Sequence, residues 1–129
     1  MKKVSTLLLL ALVSFNLSAQ KMSKDKKAVV ASVEKHKENI IKISDSIWAL
    51  AETAFEESIS SELLADYAEQ NGMTVTRGVA DIPTAFVATY GSGKPVISVL
   101  GEFDALPGLS QNTVPTKDPR IDGAPGHGC

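Results

Sequence analysis

Pro95-Val96-Ile97-Ser98-Val99-Leu100-Gly101-Glu102-Phe103-Asp104 is the stretch that decides the fold. Its first half is nearly continuous in apolar, mostly β-branched residues, the pattern of a strand covered on both faces in an α/β sheet. In open α/β sheets, ligands bind outside the carboxyl ends of the strands. Glu102 and Asp104 stand at that end, and alternation with Phe103 places both carboxylates on one side. Two carboxylates so close repel, and one titrates high, unless a cation or a donor lies between them. The other reading is a solvated strand end whose acids form a turn, and this pattern alone does not separate the two.

Downstream the periodicity stops. Pro107, Pro115, Pro119 and Pro125 oppose regular structure from Ala105 onward, and Gly108, Gly123 and Gly126 add conformational freedom. A loop of this length is usually functional or disordered, and its position after a buried strand favours function. It runs into Gly126-His127-Gly128-Cys129, where imidazole and thiolate are one residue apart. In an extended segment the two side chains project to the same side. Carboxylate, imidazole and thiolate together are the donors of a borderline metal such as zinc. A self-contained zinc site is not expected, because such sites take four ligands. The chain has no Cys-x-x-Cys, and its other histidine, His36, falls on the polar face of a helix. The remaining ligands would have to come from residues outside these 129 or from a partner.

Upstream, Val29, Val33, Ile40, Ile47 and Ala51 recur at helical spacing, which predicts a helix over 25–51 with Val30, Ile41 and Trp48 widening the apolar stripe. Trp48 reads as core. Glu52, Glu56 and Glu57 read as a solvated acidic end. A second helix is expected over 58–70, burying Ile59, Leu63, Leu64 and Tyr67, with Asn71-Gly72 as its stop. Period-two runs at 73–76 and 84–90 read as strands, and Gly91-Ser92-Gly93-Lys94 as the hairpin turn into the run at 95–100. That loop lacks the following helix a phosphate loop requires, and no Gly-x-Ser-x-Gly is present, which excludes the nucleophile-elbow hydrolases. The expected fold class is α/β: two helices, then a short sheet, then a long Pro/Gly loop.

The N-terminus has the anatomy of a secretory signal peptide over residues 1–19: Lys2 and Lys3, an apolar core from Leu7 to Val13, and small residues at Ser18-Ala19. The core is too short to span a bilayer comfortably. An exported, periplasmic or extracellular protein without a membrane anchor is expected, with residues 20–129 as its folded part. Removal of residues 1–19 takes two of the thirteen basic side chains and none of the fifteen acids, leaving a net of −4. The early lysines are interleaved with Asp25, Glu34 and Glu38, so there is no basic patch of the kind nucleic-acid binding needs.

The runs Gly101-Glu102-Phe103-Asp104-Ala105-Leu106-Pro107-Gly108-Leu109-Ser110-Gln111 and Gly123-Ala124-Pro125-Gly126-His127-Gly128-Cys129 resemble the N-terminal catalytic segment of metal-dependent amidohydrolases of peptidase family M twenty. The similarity extends over residues 25–129 and is greatest to the aminobenzoyl-glutamate utilisation protein B type. These enzymes carry Asp-Ala-Leu-Pro after a central strand, then His-x-Cys-Gly-His. The resemblance implies a three-layer α/β/α catalytic domain of which this chain is the N-terminal part. It implies two divalent ions in the complete enzyme, zinc or manganese, with Cys129 as a metal ligand and Asp104 in the catalytic site. It gives His127 and Glu102 supporting positions beside the metal, Glu102 because relatives carry Asp or His at its place. The next ligand of the motif falls after Cys129. A small-molecule amide substrate and a homodimeric complete protein are likewise implied.

The activity expected is hydrolysis of the amide bond of an N-acyl amino acid or aminobenzoyl-glutamate-like substrate by a metal-activated water, the 129 residues by themselves being inactive. Two alternatives remain open on the sequence. One is a small exported binding protein with a disordered C-terminal tail and a free thiol; the other is a degenerate enzyme remnant. The coding sequence past Cys129 separates the three.

Overall fold

The computed structural model describes residues 21–128. The signal peptide expected over 1–19, and Cys129, lie outside the described residues. The chain divides into two compact units between Lys37 and Glu38. Helix α1 (Lys24–Leu50) contributes its first half to one unit and its second half to the other. Its start is set locally. The Ser23 hydroxyl accepts a hydrogen bond from the Lys26 N–H at 3.2 Å, and Asp25 lies in the first turn, where a negative charge meets the helix dipole.

The helix occurs where the periodicity predicts it, but its apolar stripe is not buried. Val29, Val33, Ile40 and Ile41 are about half exposed, and no residue of α1 is buried among the described residues. At 27 residues the helix exceeds the roughly 12–15 below which isolated helices are marginal in water. Lys, Ala and Glu are among its better formers.

In the second unit, α2 (Ser58–Gln70) packs on an antiparallel pair, β1 (Thr74–Arg77) and β2 (Phe86–Thr89). The register sets Thr74 against Thr89 and Arg77 against Phe86. Both strands fall within one or two residues of their predicted spans. The buried face of α2 differs from the expectation. Ser60, Ser61 and Ala65 are buried, Leu63, Leu64 and Tyr67 are half-buried, and Ile59 is exposed. Small residues face the neighbouring structure here and allow close approach, so the larger side chains are left at the flanks. The helix stops as predicted, and Gly72 supplies the left-handed residue at φ +83°. Asn71 stays right-handed and instead donates from its side chain to the Tyr67 carbonyl at 2.7 Å.

The largest departure is at residues 95–100. They form no strand, and Val96, Ile97, Val99 and Leu100 are 83–92% exposed. The Gly91–Lys94 stretch is therefore not a hairpin turn, because nothing after it pairs with β2 among the described residues. A strand needs a ladder partner, and an apolar run reads as buried only if other elements cover it. Here the sequence carries the pattern of a central strand without the neighbours.

Candidate functional site

The predicted structureless loop is organised. Two short strands, β3 (Leu106–Pro107) and β4 (Gly126–His127), pair antiparallel, with Leu106 opposite His127 and Pro107 opposite Gly126. The prolines do not prevent this, because Pro107 needs only its carbonyl at such a short edge. The base of the loop closes with the Gly108 N–H donating to the Pro125 carbonyl at 2.9 Å. Inside it, Gln111 stands in for a missing secondary structure. Its Nε2 donates to the carbonyls of Thr116 at 2.7 Å and Asn112 at 3.1 Å, while its Oε1 accepts from the Asp118 N–H at 3.1 Å. Asn112 and Asp118 add a backbone bond of 2.8 Å, and the Ser110 hydroxyl accepts from the Ile121 N–H at 2.9 Å. The disordered tail of the alternative reading is thus not what residues 105–128 form.

This loop base sits on the C-terminal end of α1. Thr53 bridges in parallel to Ala105, whose N–H donates to the Glu52 carbonyl at 2.7 Å and whose side chain is 1% exposed. On the other side the approach is closer still. A Cβ on Gly128 would lie 2.5 Å from the Trp48 Cα, and one on Gly126 would lie 2.9 Å from the Thr53 methyl and 3.1 Å from the Ala51 carbonyl oxygen. The Gly-x-Gly spacing around His127 is therefore a packing requirement. It was legible in the sequence only as flexibility.

The four positions singled out from the sequence fare differently. Asp104 precedes Ala105 directly and is half-buried, whereas Glu102 is exposed. Phe103 between them approaches Phe86 at 6.1 Å between ring centroids. His127 is half-buried, its ring set edge-on to Trp48 at 5.9 Å and 81°. Cys129 lies outside the described residues. The β3–β4 pairing draws the Asp104 end of one segment beside the His127-Gly128 end of the other. The donors match a borderline divalent ion in kind. In number they do not complete a site: no group of three His, Cys, Asp or Glu side chains gathers among the described residues.

Several residues beside this platform were missed or misread. Trp48, read as core, is half-buried and carries the Arg120 guanidinium 4.1 Å above its ring. Glu52, read as solvated, spans from the end of α1 to the start of α2. Its carboxylate accepts the Ser60 N–H at 2.7 Å and the Ile59 N–H at 3.1 Å, two of the donors a helix start leaves open. Partial burial pushes this carboxyl up, but the Ser60 and Ile59 donors outweigh it and hold it below the ordinary carboxylate value. The Ser60 hydroxyl lies beside the same carboxylate and lowers its pKa together with the two backbone donors. Glu57, also read as solvated, is 8% exposed.

No family model and no solved structure matches the chain. A curated relative does match, and its class is that of a hydrolase. It is a p-aminobenzoyl-glutamate hydrolase subunit from Escherichia coli (strain K12), 48% identical over 99 residues, which are 76% of this chain and 21% of the relative. The resemblance to the aminobenzoyl-glutamate hydrolase type read from the two terminal motifs is what this match bears out. The chain spans about a fifth of the relative's length.

Proposed function

We propose that this chain supplies part of the catalytic region of an exported metal-dependent amidohydrolase of the M twenty type, cleaving the amide bond of an aminobenzoyl-glutamate-like N-acyl amino acid. The observation that carries the reading is the 48% identity to a hydrolase named for that substrate. Cys129 would hold a zinc or manganese ion, Asp104 would serve the catalytic site beside it, and His127 and Glu102 would take supporting positions. A divalent ion so bound lowers the pKa of a water and polarises the scissile carbonyl.

The chain's own described residues do the positioning. The Glu52 carbonyl fixes Ala105, and with it the backbone that bears Asp104. Trp48 sets the plane of the His127 ring, and the two glycines flanking His127 lock its segment to the end of α1. Fixing donor groups before substrate arrives is what a hydrolytic site requires. The complete protein is proposed to be a homodimer.

A chimera tests the proposal: the matching segment of the Escherichia coli relative is replaced by residues 21–129 of this chain, and release of p-aminobenzoate is followed. Hydrolysis is expected from the chimera and not from the 129-residue chain with added zinc or manganese. An inactive but folded chimera would contradict the proposal, as would clear turnover by the 129 residues alone.

A further inference from the structure

Among the described residues the second unit holds two arginines in opposite circumstances. Arg77 reaches three carboxylates, Glu62 at 3.4 Å, Asp66 at 2.8 Å and Glu69 at 2.6 Å, so its charge is spent inside the fold. Arg120 makes no ion pair among the described residues, is exposed, and sits over Trp48 with its Cζ 4.1 Å from the ring centroid. A guanidinium held over an indole by the cation–π attraction still offers its fork of N–H donors to a partner, and no hydrogen bond or ion pair of Arg120 occupies them among the described residues. That is the arrangement that receives a carboxylate in two parallel hydrogen bonds.

Its location gives the fork a purpose. The Trp48 ring lies under the Arg120 guanidinium at 4.1 Å and meets the His127 ring in a T-shaped contact at 5.9 Å. The guanidinium and the imidazole are therefore at most about 10 Å apart, roughly three residues of extended chain. The loop that carries Arg120 is held in shape by Gln111 and Ser110, and its base is locked by Gly126 and Gly128. The cation is thus presented from an ordered loop to the surface beside the candidate site.

We propose that Arg120, laid over Trp48, is the seat for a carboxylate of the amino-acid half of the substrate. This rests on the hydrolase reading above and deepens it. Arg120 is a binding residue: it selects for an acidic acyl amino acid and holds it with the amide toward His127. Trp48 is its support, and removal of the indole frees the guanidinium to sample other orientations.

Trp48 is the only tryptophan of the chain, so the test can be read on its fluorescence. The 129-residue chain is titrated with N-acetyl-glutamate, which does not absorb where tryptophan is excited, and in parallel with the uncharged N-acetyl-glutamine amide. The expected result is a saturable change with the dicarboxylate only, weakened at least severalfold by 0.5 M salt, reduced in Arg120→Lys and lost in Arg120→Gln. An unchanged titration in a folded Arg120→Gln, or an equal response to the uncharged amide, would overturn the proposal. Should Arg120→Gln fail to fold by circular dichroism, the Arg120 Nε–H resonance of the unsubstituted chain decides. It must shift on adding N-acetyl-glutamate, and a stationary resonance overturns the proposal. The titration needs neither metal nor turnover, so it can fail while the chimera hydrolyses, or succeed while it does not.

Discussion

Among its described residues the second unit holds two antiparallel pairs, and they are secured by opposite means. The β1–β2 pair lies under α2, with small side chains of the helix buried and a cluster of exposed charges around Arg77. The β3–β4 pair has only two residues in each strand and is secured by backbone lying directly on backbone, at Gly128 against Trp48 and at Gly126 against Ala51. A side-chain interface can adjust to a substitution by changing rotamers. A backbone contact at glycine cannot, because the obstructing atoms are not free to move. The loop that carries the candidate site is therefore the less forgiving of the two, although its sequence looks the more flexible.

Substitutions can break or sharpen that contrast. Gly128→Ala should have the largest effect, about 3 kcal/mol of destabilisation, read as a lowered denaturation midpoint with a red shift of Trp48 emission. Gly126→Ala should cost less, about 1–2 kcal/mol, because one obstruction is the Thr53 methyl. Combining it with Thr53→Ser should recover part of the loss, and no recovery would show that the Ala105 Cβ or the Ala51 carbonyl, each 3.1 Å away, is the obstacle. Glu52→Gln should cost about 1 kcal/mol through the weakened cap of α2.

The pH dependence of the Glu52 contribution has a fixed sign. The folded carboxyl titrates below its ordinary value, so its stabilisation is fully present above the usual carboxylate range and is lost as the pH falls through the folded value. Acid titration of Glu52→Gln should lack that component. Ala51→Gly should act in the opposite direction, stabilising by about 0.5–1 kcal/mol, since Ala51 sits at φ +50° just past the end of α1. Arg77→Gln should give the smallest change. Its hydrogen bond to Glu69 raises the pKa of the guanidinium and lowers that of Glu69, but the cluster is exposed, and any loss of midpoint should vanish in 1 M salt.

What the sequence disclosed follows from how local each determinant is. Helices α1 and α2 and strands β1 and β2 are encoded by short-range periodicity, and all four lie where that periodicity puts them. Residues 95–100 show where local pattern stops deciding structure. Their apolar pattern predicts a covered strand, but cover is a property of other segments, and here Val99 and Leu100 stand about 90% exposed. Asp104 and His127 were singled out by residue type, and the β3–β4 pairing brings their segments side by side. Arg120, Gln111 and Glu52 were not singled out, because a cation on an indole, a loop-filling amide and a cap seven residues ahead of its target leave no periodic trace. Gly126 and Gly128 were visible as a pattern but carried the wrong meaning until Trp48 was placed beneath them.

The central claim is that Asp104 acts in amide hydrolysis while neighbouring Glu102 only supports it. The most direct measurement is p-aminobenzoate release by the chimera carrying Asp104→Asn, compared with Glu102→Gln and Cys129→Ser. The account predicts a loss of about a hundredfold or more for Asp104→Asn and Cys129→Ser, and less than about tenfold for Glu102→Gln. Full activity in a folded Asp104→Asn chimera would contradict it.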